Sequence, residues 1–197
     1  MKGLSDKEIE ILLLLVKDIS KDYNSNNITQ KINITPAGAF KAMKNLVKKN
    51  LINGKRMGKA IFYKANLDDY YAFRTIETLL IGEAREKALR WLDEFKDLYE
   101  HAEIVIIFGS IIKNTKNAND IDLLIISDKK EDKNIENIIK DRKIISTKPI
   151  HVIKRTIEEF NKSLKRKDDV ILNIIKSCYV LNGYDKLLEG IKNVAGI

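Results

Sequence analysis

Gly109-Ser110 and Asp120-Ile121-Asp122, separated by a nine-residue spacer, are the residues of this chain whose types and spacing suit chemistry. Both pieces adjoin apolar runs that read as β-strands, Ile104-Val105-Ile106-Ile107-Phe108 and Ile121 through Ile126. A strand sends alternate side chains to one face, so Asp120 and Asp122 point the same way. Two carboxylates aimed into one cleft repel unless a cation lies between them. Magnesium, or manganese in its place, is the cation that such a pair holds together with the phosphates of a substrate. A glycine at Gly109 lets backbone approach a phosphate closely, and Ser110 offers a hydroxyl and an amide to bind it. These parts describe a site for a metal-bound nucleoside triphosphate.

The strand, Gly-Ser turn, spacer and Asp-hydrophobic-Asp series resembles the signature of the polymerase-β-like nucleotidyltransferases, and most of all their small, minimal members. The resemblance covers roughly residues 82 to 185. It implies that Asp120 and Asp122 are the metal ligands and catalytic residues, and that Gly109 and Ser110 grip the triphosphate. A basic residue three positions after the serine is common in the family, and here it is Lys113. Two positions depart from the pattern. Asn114 stands where many relatives carry glycine, and the strand expected to bring a third carboxylate, Lys148 to Ile153, offers His151 instead. His151 is either a partly buried structural residue or a ligand or proton acceptor, while Asp128 and Asp141 are the other candidates for the third acid.

Elements that position these residues can be read from periodicity. Glu83 to Tyr99 suits a helix with Trp91, Leu92, Phe95 and Leu98 on one stripe. Asp132 to Lys140 suits a helix, and Pro149 to Ile153 a third strand. Thr156-Ile157-Glu158-Glu159 is a capping box that opens another helix. Val170 to Ser177 reads as a helix on the sheet, Tyr179 to Gly183 as a short strand and turn, and Tyr184 to Asn193 as a closing helix.

Charge divides the chain. Of its 197 residues, 44% are hydrophobic and 32% charged, the balance of a core-forming protein. Residues 1–66 hold 13 Lys and Arg against 5 Asp and Glu, which accounts for the whole net charge of +8. From Lys31 to Asn66 there is no acidic residue. Such a block points to a polyanionic partner, most simply nucleic acid. The longest apolar run, Ile9 to Val16, includes Glu10 and stops at Lys17, too short for a membrane span. The first residues lack the apolar core of a signal peptide, so a cytoplasmic location without membrane partners is expected. Cys178 is the only cysteine, which excludes an internal disulfide, and His101 and His151 are too few for a zinc site by themselves.

The basic segment begins with a capping box, Ser5 to Glu8, opening a helix with Ile9, Leu12, Leu13 and Val16 buried. A short helix over Ile28 to Ile32 follows. Thr35-Pro36 starts a helix to about Lys49, burying Phe40, Met43, Leu46 and Val47. Asn53-Gly54 and Gly58 frame a basic turn before the strand Ala60 to Tyr63. This order of helix, short helix, helix and basic hairpin resembles the winged helix-turn-helix family. The resemblance implies DNA binding through Lys41, Lys44, Asn45 and Lys48 on the third helix and Lys55, Arg56 and Lys59 in the wing. A solvated basic face used for dimerisation or protein docking is the alternative.

The expected fold is therefore α/β (α+β). A winged helix-turn-helix domain spans 1–66 and a linking helix 67–81, with Tyr70, Tyr71 and Phe73 as its packing residues. A nucleotidyltransferase domain with a small mixed sheet flanked by helices spans 82–197. The resemblance implies transfer of a nucleoside monophosphate to an acceptor hydroxyl on a protein or a nucleic acid. Alternatives are a transcriptional regulator that senses a nucleotide, and an antitoxin-like partner of a helical toxin. A homodimer fits the winged-helix resemblance.

Overall fold

The computed structural model describes residues 3–113 and 117–194. It divides into two compact units, one running up to Leu79 and one covering Leu80–Val194, with the division inside a helix. Among the described residues, no helix is long and apolar enough to cross a membrane.

In the first unit α1 (Asp6–Lys17) starts on a capping box, with the Glu8 amide donating to the Ser5 hydroxyl and the Ser5 amide to the Glu8 carboxylate. Its buried apolar stripe is Ile11, Leu12, Leu15 and Val16, whereas Ile9 and Leu13, expected inside, are only half-buried. Both α2 and β2 pack on α1, and the buried arc is the one facing the two together. A 3-10 turn over Asn27–Gln30 leads to α2 (Pro36–Lys48), where the Thr35 hydroxyl accepts the Gly38 amide at 3.1 Å. α2 buries Ala39, Ala42, Met43 and Leu46. Phe40 and Val47, expected in its core, are 53% and 43% exposed. At 100° per residue the buried arc centres between Ala39 and Leu46, and Phe40 and Val47 fall on its flank. The small Ala39 and Ala42 side chains supply the contact surface in their place.

β1 (Ile52–Met57) and β2 (Ala60–Ala65) form an antiparallel hairpin closed by Gly58-Lys59, with Gly58 at φ +60. Asn53-Gly54 is therefore strand rather than turn, and Lys55 and Arg56 lie on β1. Glycine suits position 54 because a Cβ there would come within 3.0 Å of Ile61 and 3.1 Å of Tyr63. The hairpin is fastened by the Tyr63 amide, which donates to the Tyr23 carbonyl at 2.8 Å; the Tyr23 hydroxyl donates to the buried Asp18 carboxylate at 2.6 Å.

α3 (Tyr70–Lys87) continues through Gly82, whose missing side chain faces open space. Its buried residues, Ala72, Ile76, Leu80 and Ala84, recur every fourth position and form one stripe. Tyr70 and Tyr71, expected as packing residues, are 76% and 54% exposed, and the Arg74 guanidinium lies over the Tyr70 and Phe73 rings.

The second unit continues with α4 (Leu89–Glu94), a 3-10 turn over Lys96–Leu98, β3 (Ile104–Phe108), a 3-10 turn over Gly109–Ile112, and β4 (Ile121–Ile126). Then come α5 (Asp132–Ile145), β5 (Ile150–Arg155), α6 (Ile157–Lys165), α7 (Asp169–Lys176), β6 (Cys178–Asn182) and α8 (Tyr184–Lys192). The single helix expected over Glu83 to Tyr99 is broken at the buried Ala88. The break still delivers Trp91, Phe95 and Leu98 into the core, where Trp91 stacks on Phe95 with ring centroids 6.2 Å apart.

The four strands form a mixed sheet in the order β5-β4-β3-β6. β3 pairs antiparallel with both β4 and β6, while β4 and β5 run parallel, joined by the α5 crossover that a parallel pair requires. Val105, Ile107, Leu123 and Ile125 face a core built with Trp91, Phe95, Leu98, Ile135 and Ile139. Ile104, Ile106, Leu124 and Ile126 are fully buried on the other face. Cover on both faces explains why these strands read as continuous apolar runs. The Cys178 thiol is buried and donates to the Ile175 carbonyl at 3.3 Å.

The capping box before α6 has both halves, Glu159 amide to Thr156 hydroxyl at 3.2 Å and Thr156 amide to Glu159 carboxylate at 3.0 Å. Thr156→Ala is expected to cost about 1 kcal/mol and to lower the thermal midpoint by about 2–4 °C, measured by circular dichroism.

Candidate active site

β3 ends at Phe108, which lies opposite Asp122 in the antiparallel register. The chain then turns at Gly109 with φ +83, a backbone conformation glycine adopts without strain. A Cβ on Gly109 would fall 2.2 Å from Asp122 Oδ2, so the bare glycine is what gives the Asp122 carboxylate its place. Ser110, next in the turn, donates its hydroxyl to Asp120 Oδ1 at 3.3 Å. Lys113 ends the turn with its amide on the Ser110 carbonyl at 3.1 Å, and its side chain is exposed. Asn114, the departure expected to alter this loop, lies outside the described residues.

Asp120 immediately precedes β4 and Asp122 is its second residue. The Ile121 amide donates to the Pro149 carbonyl at 2.9 Å, and Lys148 donates through its ammonium to the Ala118 carbonyl. Both bonds clamp the start of β4 to the start of β5. The parallel register then sets Asp122 beside His151. His151 Nδ1 lies 3.6 Å from Asp120 Oδ2 and 3.6 Å from Asp122 Oδ1. Among the described residues, Asp120, Asp122 and His151 are the one group of three acidic, histidine or cysteine side chains whose ligand atoms all lie within 4.8 Å of each other.

His151 is thus not a partly buried structural residue: its side chain is 63% exposed and stands at the mouth of the acidic pair. Asp128 and Asp141 do not supply a third acid. Asp128 lies beyond the far end of β4, roughly 20 Å from Asp122 at the rise of a strand, and accepts the Lys130 amide at 3.1 Å. Asp141 is an exposed residue of α5. His101 is held elsewhere, with Nδ1 2.7 Å from the Glu131 carboxylate.

Burial, and after it the negative charge of Asp120, pushes the Asp122 carboxyl above the usual carboxylate range, while His151 works in the opposite direction. Two carboxylates and one imidazole nitrogen, converging and open to solvent, are a donor set that fits a divalent cation.

Asp122, His151 and Ile153 share one face of the sheet by strand parity, together with Phe108. On that face lies an open cleft of about 330 Å³, lined by Phe108, Gly109, Lys113, Ile153 and, from α7, Val170 and Asn173 among others. Lys113 and Gly109 therefore belong to this cleft. The α7 residues were not legible as site residues in the sequence, since only the fold brings them there.

In the first unit the basic residues Lys41, Lys44, Lys48, Lys55, Arg56 and Lys59, and the amide Asn45, are all exposed. Lys44 and Lys48 lie on the side of α2 opposite its buried arc, and Lys55, Arg56 and Lys59 lie on or between the hairpin strands.

No curated protein and no solved structure gives a match to the chain. The family model described as a nucleotidyltransferase domain matches residues 90–180, somewhat under half of the chain, so the stretch that holds Gly109, Ser110, Asp120, Asp122 and His151 is similar to that family.

Proposed function

We propose that this protein is a metal-dependent nucleotidyltransferase whose site is built from Gly109, Ser110, Lys113, Asp120 and Asp122, joined to a DNA-binding winged helix. The observation that carries the reading is the convergence of Asp120, Asp122 and His151 beside Gly109, where any side chain would displace the Asp122 carboxylate. The match of residues 90–180 to the nucleotidyltransferase domain supports it. The proposed DNA-binding part is 1–66 and the proposed transferase part 82–197, and the helix that links them is α3 (Tyr70–Lys87) rather than a helix over 67–81.

Asp120 and Asp122 hold magnesium or manganese, which when bound neutralises phosphate charge and aligns an in-line displacement. Gly109 and Ser110 receive the triphosphate, and Lys113 orients it from the side of the cleft. The cleft walls, Phe108, Ile153 and Val170, offer apolar surface to the nucleoside. An acceptor hydroxyl oxygen bonds to the α-phosphorus as the bond from that phosphorus to the β-phosphate oxygen breaks. Pyrophosphate leaves, and the acceptor's proton passes to water at the open side of the site. Incubation of the full chain with α-labelled nucleoside triphosphates and a divalent cation should place label on a protein or nucleic-acid acceptor. Label on no acceptor, with triphosphate binding intact, contradicts the transferase and favours a nucleotide sensor.

The acid-free stretch from Lys31 to Asn66 and the exposed basic side of α2 support duplex DNA as partner of the first unit. Affinity should fall linearly with salt on a double-logarithmic plot. Replacing Lys44 and Lys48 together by alanine is expected to reduce that slope by about 2. An unchanged slope assigns the basic face to another role.

A further inference from the structure

The third position of the acidic site holds a nitrogen donor, and that bears on which cation the site takes. We infer that Asp120, Asp122 and His151 together form a mixed carboxylate–imidazole site that binds a divalent transition cation of the manganese–cobalt class in preference to magnesium. The inference rests on the metal-dependent reading above and deepens it.

The geometry treats His151 as an equal member of the group. Its Nδ1 is equidistant, at 3.6 Å, from an oxygen of each aspartate. Donors sharing one ion at metal–ligand lengths of about 2.0–2.1 Å sit about 3.0–3.4 Å apart, so Nδ1 stands within a few tenths of an ångström of that spacing from each aspartate. The backbone already supplies the alignment. Asp122 and His151 are paired residues of parallel strands, and the start of β4 is bonded to Pro149. The ring is not needed for packing, since most of it faces solvent.

Chemistry then decides between cations. Magnesium demands oxygen ligands in near-ideal octahedral geometry and gives up water reluctantly. An imidazole nitrogen adds little for it. First-row transition cations take imidazole readily, and their affinity for a given nitrogen–oxygen site rises from manganese through cobalt. Two carboxylates balance the double positive charge, and the neutral imidazole adds a donor without adding charge. Three oxygen donors would have left magnesium at less disadvantage.

The test uses the full chain without nucleotide, titrated with magnesium, manganese or cobalt and followed by calorimetry. Visible absorption of the cobalt form reports the ligand set. Manganese and cobalt are expected to bind at least about tenfold more tightly than magnesium. His151→Ala should remove most of that difference and change the cobalt spectrum, leaving magnesium affinity within about twofold. His151→Asp should shift the preference back toward magnesium. Far-ultraviolet circular dichroism confirms that these exposed-site variants are folded. Equal affinities in the unaltered chain, or a preference and spectrum that survive His151→Ala, overturn the inference while leaving the metal site in place. If no cation binds the unaltered chain, the metal-dependent reading falls as well.

Discussion

Gly109→Ala is expected to lower nucleotide transfer at least about a hundredfold while leaving a folded protein. The φ of +83 at this position disfavours any residue with a Cβ, at a cost of about 1–2 kcal/mol. The larger consequence is local. The new methyl would lie 2.2 Å from Asp122 Oδ2, well inside van der Waals contact. Asp122 is a short side chain on a strand paired on both sides, with Phe108 and His151 as its neighbours, so it cannot retreat by shifting backbone. Its carboxylate must rotate away from Asp120 and His151, and the cation site opens. Misplacement of a catalytic group by about 1 Å costs about a hundredfold in rate. Calorimetric titration should show cation affinity falling alongside transfer, with a thermal midpoint lower by only a few degrees, roughly.

Asp122→Asn is expected to reduce transfer at least about a thousandfold and, at the same time, to stabilise the cation-free protein. The first effect follows from loss of a charged ligand. The second follows from the sign of the Asp122 shift, which burial and the neighbouring Asp120 drive upward. A carboxyl whose folded-state value is raised binds its proton more tightly in the native state than in the unfolded chain. Native stability then falls as pH rises from the unfolded value, about 4, through the raised folded value, and the penalty is fully present above it. Asparagine removes that penalty at neutral pH and makes no difference well below pH 4, roughly. The cation-free midpoint of the variant is expected to exceed that of the unaltered chain at pH 7 and to match it at low pH, read by circular dichroism. Added cation should raise the midpoint of the unaltered chain and not that of the variant, so the two curves cross.

The acidic pair was legible because strand periodicity is strict: two residues apart means one face, whatever the rest of the fold does. Gly109 and Ser110 were legible for a similar reason, as a turn between two apolar runs. His151 was visible only as the polar residue of a third strand. Its contact with the pair depends on the parallel register of β5 against β4 across the α5 crossover, and no local pattern encodes that. The α7 wall of the cleft, with Val170 and Asn173, was hidden by the same long-range step.

In the first unit the helices and hairpin follow from caps and charge, and Leu12, Val16, Met43 and Leu46 face inward as their spacing predicts, whereas Ile9, Leu13, Phe40 and Val47 do not. Phe40 and Val47 looked like core because they are large. α2 instead buries Ala39 and Ala42 beside Met43 and Leu46, the arc on which Phe40 and Val47 do not lie. Asn53-Gly54 has the composition of a turn, but the Ile61 and Tyr63 side chains lie over Gly54 within the hairpin, and Gly58-Lys59 makes the turn.

Binding of a nucleoside triphosphate with and without divalent cation, compared between the unaltered chain and Asp120→Asn/Asp122→Asn, addresses the site most directly. Cation-dependent binding that the double substitution abolishes is the expected result. Triphosphate binding that is equally strong in the presence of a chelator, or that survives the double substitution, would contradict a site built on Asp120 and Asp122.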